Sequence, residues 1–208
     1  MHRTTATSSG DGEEREVKLA VAQGFVLPPL SQLVGVSADD RGEERLHALY
    51  WDTAGLGLAR AGVALRHRSG MWTFKGRSRR DGDSLVREEV EVAGDADTVP
   101  ASLRARIDEL VDARELRVVA QLDSLRRTID VRSGDEIGEV VHDRVSVMGS
   151  GGEVLRFEEV EVEFEAHSHA LADRVVHMVI ASGATVDKTS KYRRALRALG
   201  WDPPEVVG

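Results

Sequence analysis

Five short segments of the chain carry charged residues in alternation with others. In "EREVKLAV" Glu14, Glu16 and Lys18 alternate with Arg15, Val17 and Leu19. In "VREEVEV" Arg87, Glu89 and Glu91 oppose Val86, Val90 and Val92, with Glu88 as the one acid on the apolar side. In "EEVEVEF" Glu159, Glu161 and Glu163 oppose Val160, Val162 and Phe164, while "ALRHR" and "WTFKGR" supply basic rows through Arg66 and Arg68 and through Thr73, Lys75 and Arg77. In an extended chain successive side chains point to opposite faces, so each row shares one side. Stacked carboxylates repel one another, and like charges facing each other across strands destabilise a sheet. Divalent Mg²⁺ or Mn²⁺ would neutralise them, because these ions take oxygen ligands and share one or two carboxylates with phosphate groups. The basic rows suit those phosphates, arginine as a bidentate fork and lysine as a point charge. For any single strand a half-solvated antiparallel sheet is the simpler account, and only the rows taken together call for a neutralising ion. Periodicity leaves open whether the charged sides line an interior or face water.

The elements that must position these rows are short strands separated by turn residues. Alternation predicts strands over Arg15–Val21, His47–Asp52, Val63–Arg68, Met71–Arg77, Ser84–Val92, Ala120–Val131, Glu136–Val147 and Leu155–Glu165. "RSGM", "RRDGDS" and the Gly-rich "MGSGGE" read as turns. Helical spacing places Leu103, Ile107, Leu110 and Val111 on one stripe, and Leu171, Val175, Met178 and Val179 on a second that stops at Gly183. A third, short helix carries Tyr192, Leu196 and Leu199. The class is therefore α+β, a mostly antiparallel sheet of about eight strands with a few packed helices, and such a sheet can close into a barrel.

Composition narrows the functions. The 208 residues carry 28 Lys and Arg against 36 Asp and Glu, a net charge of -8, which argues against a general nucleic-acid binder. Any polyanion must be held by a local cationic pocket or through metal ions. The absence of cysteine removes thiolate metal sites and disulfides and suits a reducing compartment, so the expected location is cytoplasmic. No apolar run reaches the roughly 18 residues of a membrane span. Residues 1–13 read as a disordered leader, 14–200 as a single domain and 201–208 as a C-terminal tail. His167 and His169, in a strand-to-helix loop, take no role, and "GLGLARAG" and "GSGG" read as turns because neither has the context of a nucleotide-binding loop.

The order of the charged segments resembles the CYTH superfamily of triphosphate tunnel metalloenzymes. The Glu-x-Glu-x-Lys of Glu14, Glu16 and Lys18 is followed by "YWDTAGLGLARAGVALRHR", similar to the family's Tyr-x-Asp-Thr and Leu-Arg-x-Arg segments, then by "WTFKGR" and "VREEVEV". Later come "LRRT" with Arg126, "VVHDRVSV" with Asp143, "EEVEVEF", and "TSKYRRAL" with Lys191. The resemblance implies a closed antiparallel eight-stranded barrel, a tunnel with helices packed outside and the charged rows inside. It implies that Glu14, Glu16, Glu159, Glu161, Glu163 and Asp143 hold Mg²⁺ or Mn²⁺, with Asp143 alternatively orienting a neighbouring arginine. Lys18, Arg66, Arg68, Lys75, Arg87, Arg126 and Lys191 would grip a triphosphate, and Glu89 and Glu91 would position or deprotonate the attacking water. Arg127 competes with Arg126 for the inward place, and Lys188 with Lys191. The implied activity is metal-dependent hydrolysis of a triphosphate, inorganic triphosphate first and thiamine or nucleoside triphosphate next. Nucleotidyl cyclisation of the class IV adenylate cyclase type, or non-catalytic binding of polyphosphate or nucleotides, are the alternatives. The implied partner is a small triphosphate or polyphosphate, with no specific nucleic acid and no membrane.

Overall fold

The computed structural model describes the backbone of residues 12–77, 79–81, 84–148, 154–165 and 167–201, and the same residues' side chains except at 12–14, 79–81 and 84–85. The leader before Gly12, the tail from Asp202 and the Gly-rich turn at 149–153 lie outside the described residues. Strand β1 (Gly12–Val21) pairs antiparallel with β9 (Val154–Phe164), and the sheet continues through β8 (Glu136–Met148), β7 (Arg117–Ser133), β2 (Ser37–Asp52), β3 (Ala64–Arg68), β4 (Met71–Lys75) and β6 (Ser84–Ala93). Strand β6 then pairs back onto β1 through Gly12↔Glu89 to Glu16↔Leu85. That last ladder closes an antiparallel barrel of eight strands. Two short strands extend it, β5 (Arg79–Asp81) on β6 and β10 (Thr185–Val186) on β1.

The alternating rows are what a barrel requires, since one side of every strand must face the interior. On the outer side Val17, Leu19, Val140, Val160, Val162 and Phe164 pack against α3 (His169–Ala181), whose Leu171, Val175 and Val179 are buried. Each of these three contributes roughly 1.5–3 kcal/mol by leaving water. Helix α3 stops where the sequence indicates, with Gly183 in the left-handed region at φ 106°. A second outer cluster sets Leu65, Trp72 and Phe74 against α1 (Gly57–Arg60) and against Leu103 and Ile107 of α2 (Ala101–Asp108). Trp51 joins it, with its ring 5.5 Å from that of Trp72. Leu110, expected on the α2 stripe, lies beyond the helix and is exposed.

The third cluster has a different position. Tyr50, Leu122 and Val145 share the inward side of their strands with the charged rows, and they meet Tyr192, Ala195 and Leu196 of α4 (Lys191–Ala198). Helix α4 thus covers part of the barrel's inward-facing surface, and its first residue, Lys191, reaches the charged rows. Its start is fixed by Ser190, whose hydroxyl accepts from the Arg193 amide at 3.2 Å.

Candidate functional site

Strands β1, β8 and β9 lie side by side, and register brings their acids together. Glu16 faces Glu163, Lys18 faces Glu161, and Asp143 faces Glu159. Relative exposure is 1% for Glu16, 4% for Lys18, 0% for Asp143, 1% for Glu159 and 5% for Glu161. These are buried charges, and buried charges require partners. Lys18 Nζ donates to Glu16 Oε2 at 2.9 Å and also to Glu161 Oε1. Lys191 Nζ donates to Asp143 Oδ2 at 2.5 Å and lies 3.0 Å from Glu159 Oε1 and 3.7 Å from Glu161 Oε2. Arg126 forks onto Asp143 at 3.0 and 2.7 Å.

Ionisation follows from this crowding. Burial works against charge on Glu161, yet Lys18, Lys191 and Arg126 hold its carboxyl well below the ordinary range. Asp143 is lowered against the same penalty by Lys191 and Arg126. At Glu159 burial prevails over Lys191 and the carboxyl is raised. Burial lowers both lysines less than the surrounding glutamates raise them, so Lys18 and Lys191 stay charged.

Cations dominate another part of the interior. Arg66 donates to Thr73 Oγ1 at 3.1 Å, and that hydroxyl donates to Glu91 Oε1 at 3.1 Å. The Nε of Arg66 is buried without a hydrogen-bond partner. Arg68, half-buried, is pulled down to about 10 by burial and by the neighbouring Arg66 and Arg126 charges, which leaves it cationic at neutral pH. Lys75 Nζ lies 2.7 Å from Glu89 Oε1, and Arg87 bridges Glu16 at 3.0 Å and Glu89 at 3.9 Å. Guanidinium groups that repel one another and keep spare donors have the chemistry to accept an anion.

The structure gathers most of the expected residues but not all in one place. Glu16, Lys18, Arg126, Asp143, Glu159, Glu161 and Lys191 form one contiguous cluster, with Glu163 at its edge and Arg87 linking it to Glu89 and Lys75. Glu14 pairs through its backbone with Arg87, and its side chain lies outside the described ones. Glu91 is exposed, and neither it nor Glu89 belongs to the close groups of acids. The open pairs separate cleanly, because Arg127 points outward to Asp40 at 2.6 Å and Lys188 is exposed. Two residues outside the expected set join the site, Thr73 as a bridge between Arg66 and Glu91 and Arg194, whose Nε is 3.8 Å from Glu159 Oε2. Arg194 lies three residues after Lys191, so helical spacing was a usable signal for it.

Two groups of carboxylates, Glu16 with Glu161 and Glu163 and Asp143 with Glu159 and Glu161, present ligand atoms within 4.8 Å of one another. Glu16 Oε1 and Glu159 Oε1 are buried, each with one cationic nitrogen at 3.0 Å, from Arg87 and Lys191, but no well-aligned hydrogen bond. Donors that are all carboxylate oxygen and gathered this closely fit Mg²⁺ or Mn²⁺.

The CYTH domain model matches residues 12–196, nearly all of the described chain. The protein belongs to the CYTH family. That family contains metal-dependent enzymes, triphosphatases and adenylate cyclases among them. Solved structures agree in fold. A Bacillus halodurans protein provisionally described as an adenylate cyclase is 17% identical, covers 88% of this chain and 98% of its own, and superposes with a TM-score of 0.59. A Hippeastrum protein, provisionally named an adenylyl cyclase and described as having a dominant triphosphatase activity, is 19% identical over 92% of this chain and 98% of its own, with a TM-score of 0.54. A Pyrococcus horikoshii protein is 18% identical over 88% and 99%, with a TM-score of 0.51. No curated protein sequence matches the chain significantly. Among the described residues, no helix is long and apolar enough to cross a membrane.

Proposed function

We propose that this CYTH protein hydrolyses a triphosphate in a metal-dependent reaction inside the barrel, with inorganic triphosphate as the preferred substrate. The observation that carries the reading is the division of one interior into a carboxylate wall on β1, β8 and β9 and an arginine-rich part on β3 and β7. Phosphoryl transfer asks mainly for positioning and for cancellation of negative charge. Arg66, Arg68, Arg126, Lys75 and Arg87 would hold the phosphate oxygens, and Thr73 orients Arg66. Glu16, Glu161, Glu159 and Asp143, with Glu163 beside them and Glu14 kept in the set by its place in the Glu-x-Glu-x-Lys motif, would hold Mg²⁺ or Mn²⁺, which when bound withdraws charge from the phosphoryl group. Water adds to the terminal phosphorus as the bridging P–O bond breaks, and phosphate and diphosphate leave. Glu89, held between Lys75 and Arg87, is the better placed of the two expected bases, because Glu91 is exposed.

Preference for an inorganic substrate rests on the aromatic residues. Tyr50 faces inward but is stacked on Tyr192 with ring centroids 4.7 Å apart, Phe157 on the inward side of β9 packs in the α4 cluster with the Arg194 guanidinium 5.3 Å over its ring, and Trp51 and Trp72 pack on the outside. Among the described residues that leaves the interior charged groups without a free aromatic face on which a base or thiazole would stack. The Hippeastrum protein's described triphosphatase activity is in keeping with this reading, which rests on the residues of this chain.

The test is a screen of inorganic, thiamine and nucleoside triphosphates for released phosphate with Mg²⁺, with Mn²⁺ and with a chelator. Phosphate release from inorganic triphosphate, lost in the chelator, is expected. Formation of cyclic AMP and diphosphate from ATP would instead place the chain among the cyclases, and tight binding in chelator without turnover in either metal would make it a binding module. Glu16→Ala and Glu161→Ala should abolish hydrolysis while circular dichroism stays that of a folded barrel, and full activity in either removes the metal assignment. Arg66→Ala should raise KM at unchanged metal demand.

A further inference from the structure

The two groups of close carboxylates each contain an ammonium ion supplied by the chain. Lys18 Nζ sits between Glu16, at 2.9 Å, and Glu161. Lys191 Nζ sits among Asp143, Glu159 and Glu161, at 2.5, 3.0 and 3.7 Å. The same oxygens are the ones grouped tightly enough to share a divalent ion. An ammonium and a metal ion cannot both occupy the few ångströms between these oxygens without strong repulsion. Nor can either lysine simply withdraw, because a buried ammonium without an anionic partner is prohibitively costly. A bound triphosphate changes this balance by offering a second set of anionic oxygens in the same interior, and a lysine's flexible stem allows its single charge to move between the two. Arg126 is less free to exchange, because its Nε and Nη2 stay on Asp143 and only its other terminal nitrogen is left for a phosphate oxygen.

We propose that Lys18 and Lys191 are internal counter-cations that hold the two carboxylate groups in the ligand-free protein and exchange partners when substrate arrives, so that divalent metal and triphosphate bind with positive cooperativity. The inference rests on the reading of this interior as a metal-dependent triphosphate site, and adds an order to it. Metal alone competes with the lysines, and triphosphate removes the competitor. By reciprocity the metal raises the affinity for triphosphate by the same factor. The consequence runs against the usual expectation for a binding-site lysine: its removal should strengthen metal binding while weakening catalysis.

The experiment titrates Mn²⁺ into triphosphate-free protein and follows free Mn²⁺ by its electron paramagnetic resonance signal. Lys18→Met and Lys191→Met are each expected to bind Mn²⁺ more tightly than the wild type, by on the order of tenfold, a middling value for such coupling, and to show reduced kcat/KM for triphosphate. Arg41→Met removes one positive charge from an exposed position beside Asp130 and Glu139 and should leave Mn²⁺ affinity within about twofold. Unchanged or weaker Mn²⁺ binding in the lysine variants overturns the proposal, as does an equal gain in Arg41→Met. If a lysine variant is too unstable without metal, its melting temperature should rise with Mn²⁺ by more than the wild type's, and an equal rise counts against the proposal. Should the wild type release no phosphate from triphosphate while the lysine variants still gain Mn²⁺ affinity, the hydrolase reading fails and the counter-cation assignment stands.

Discussion

Glu159 and Glu161 are two residues apart on one strand, equally hidden from water, and electrostatically opposite. Burial raises the carboxyl of Glu159 despite Lys191, whereas Lys18, Lys191 and Arg126 overcome burial and depress that of Glu161. The sign for stability follows from proton binding in the two states. Glu159 binds its proton more tightly folded than unfolded, so the metal-free protein loses stability as pH rises from the ordinary value of 4.5 through the raised one. Glu161 does the reverse, contributing stability above its ordinary value of 4.5 that is lost as pH falls through the depressed one. In chelator at pH 7, Glu159→Gln should therefore raise the stability measured by urea unfolding and flatten its decline above pH 5. Glu161→Gln should lower it by about 3 kcal/mol, since Lys18 loses its main partner. Equal effects from the two substitutions would show that the cluster does not distinguish them. Such individuality was not legible in "EEVEVEF", where the two acids are interchangeable. It comes from Lys18 and Arg126, on strands far away in the sequence, which form ion pairs with Glu161 and not with Glu159, whereas Lys191 reaches both.

At the level of elements, the placement of Lys191 depends on a residue distant from the charged rows. Asp52, at 0% exposure, accepts the amides of Thr53, Leu58 and Ala59 at 2.7, 2.9 and 2.9 Å and the hydroxyl of Tyr192 at 3.0 Å. It thereby holds α1, four residues long, and ties α4 to the end of β2. Asp52→Ala is expected to cost about 3 kcal/mol or more by leaving several buried donors unsatisfied, and to raise KM for triphosphate as α4 loosens. Tyr192→Phe keeps the stack on Tyr50 and should cost about 1 kcal/mol. Thermal melts and KM measured on both variants check this, and an unaltered KM in Asp52→Ala would detach α4 from the site. The sequence made the strands legible wherever alternation exposed one apolar side, as in β1, β6 and β9. It did not reveal the first ten residues of β2, Ser37–Leu46, which have almost no buried side and are held by the ladder to β7 and by pairs such as Asp40 with Arg127. Helix α1, at four residues, reads as a turn in the sequence because it has no periodicity and is held by the carboxylate of Asp52. Strand β10, at two residues, exists only as a partner of β1.

For the whole molecule, the alternating rows could have served an open sheet or a barrel, and what decides is the β1–β6 ladder between strands some seventy residues apart. No local pattern encodes that contact; the order of motifs carried it. Closure turns rows of ordinary surface charge into a shared interior in which carboxylates and cations are scarcely hydrated, and this makes stability depend on what the interior binds. In chelator, where hydrolysis is not expected, inorganic triphosphate should still find Arg66 and Arg68, of which Arg66 has a buried donor unsatisfied and Arg68 is repelled by its neighbours. At a hundredfold excess over Kd, ligand linkage contributes about 2.7 kcal/mol, which for a chain of 208 residues is a rise in Tm of roughly 5–10 °C. Replacing both arginines by alanine should remove most of that rise while phosphate at equal ionic strength gives little of it to the wild type. A Tm indifferent to triphosphate would mean that the anion does not enter the barrel, and would undercut every role assigned to its inner wall.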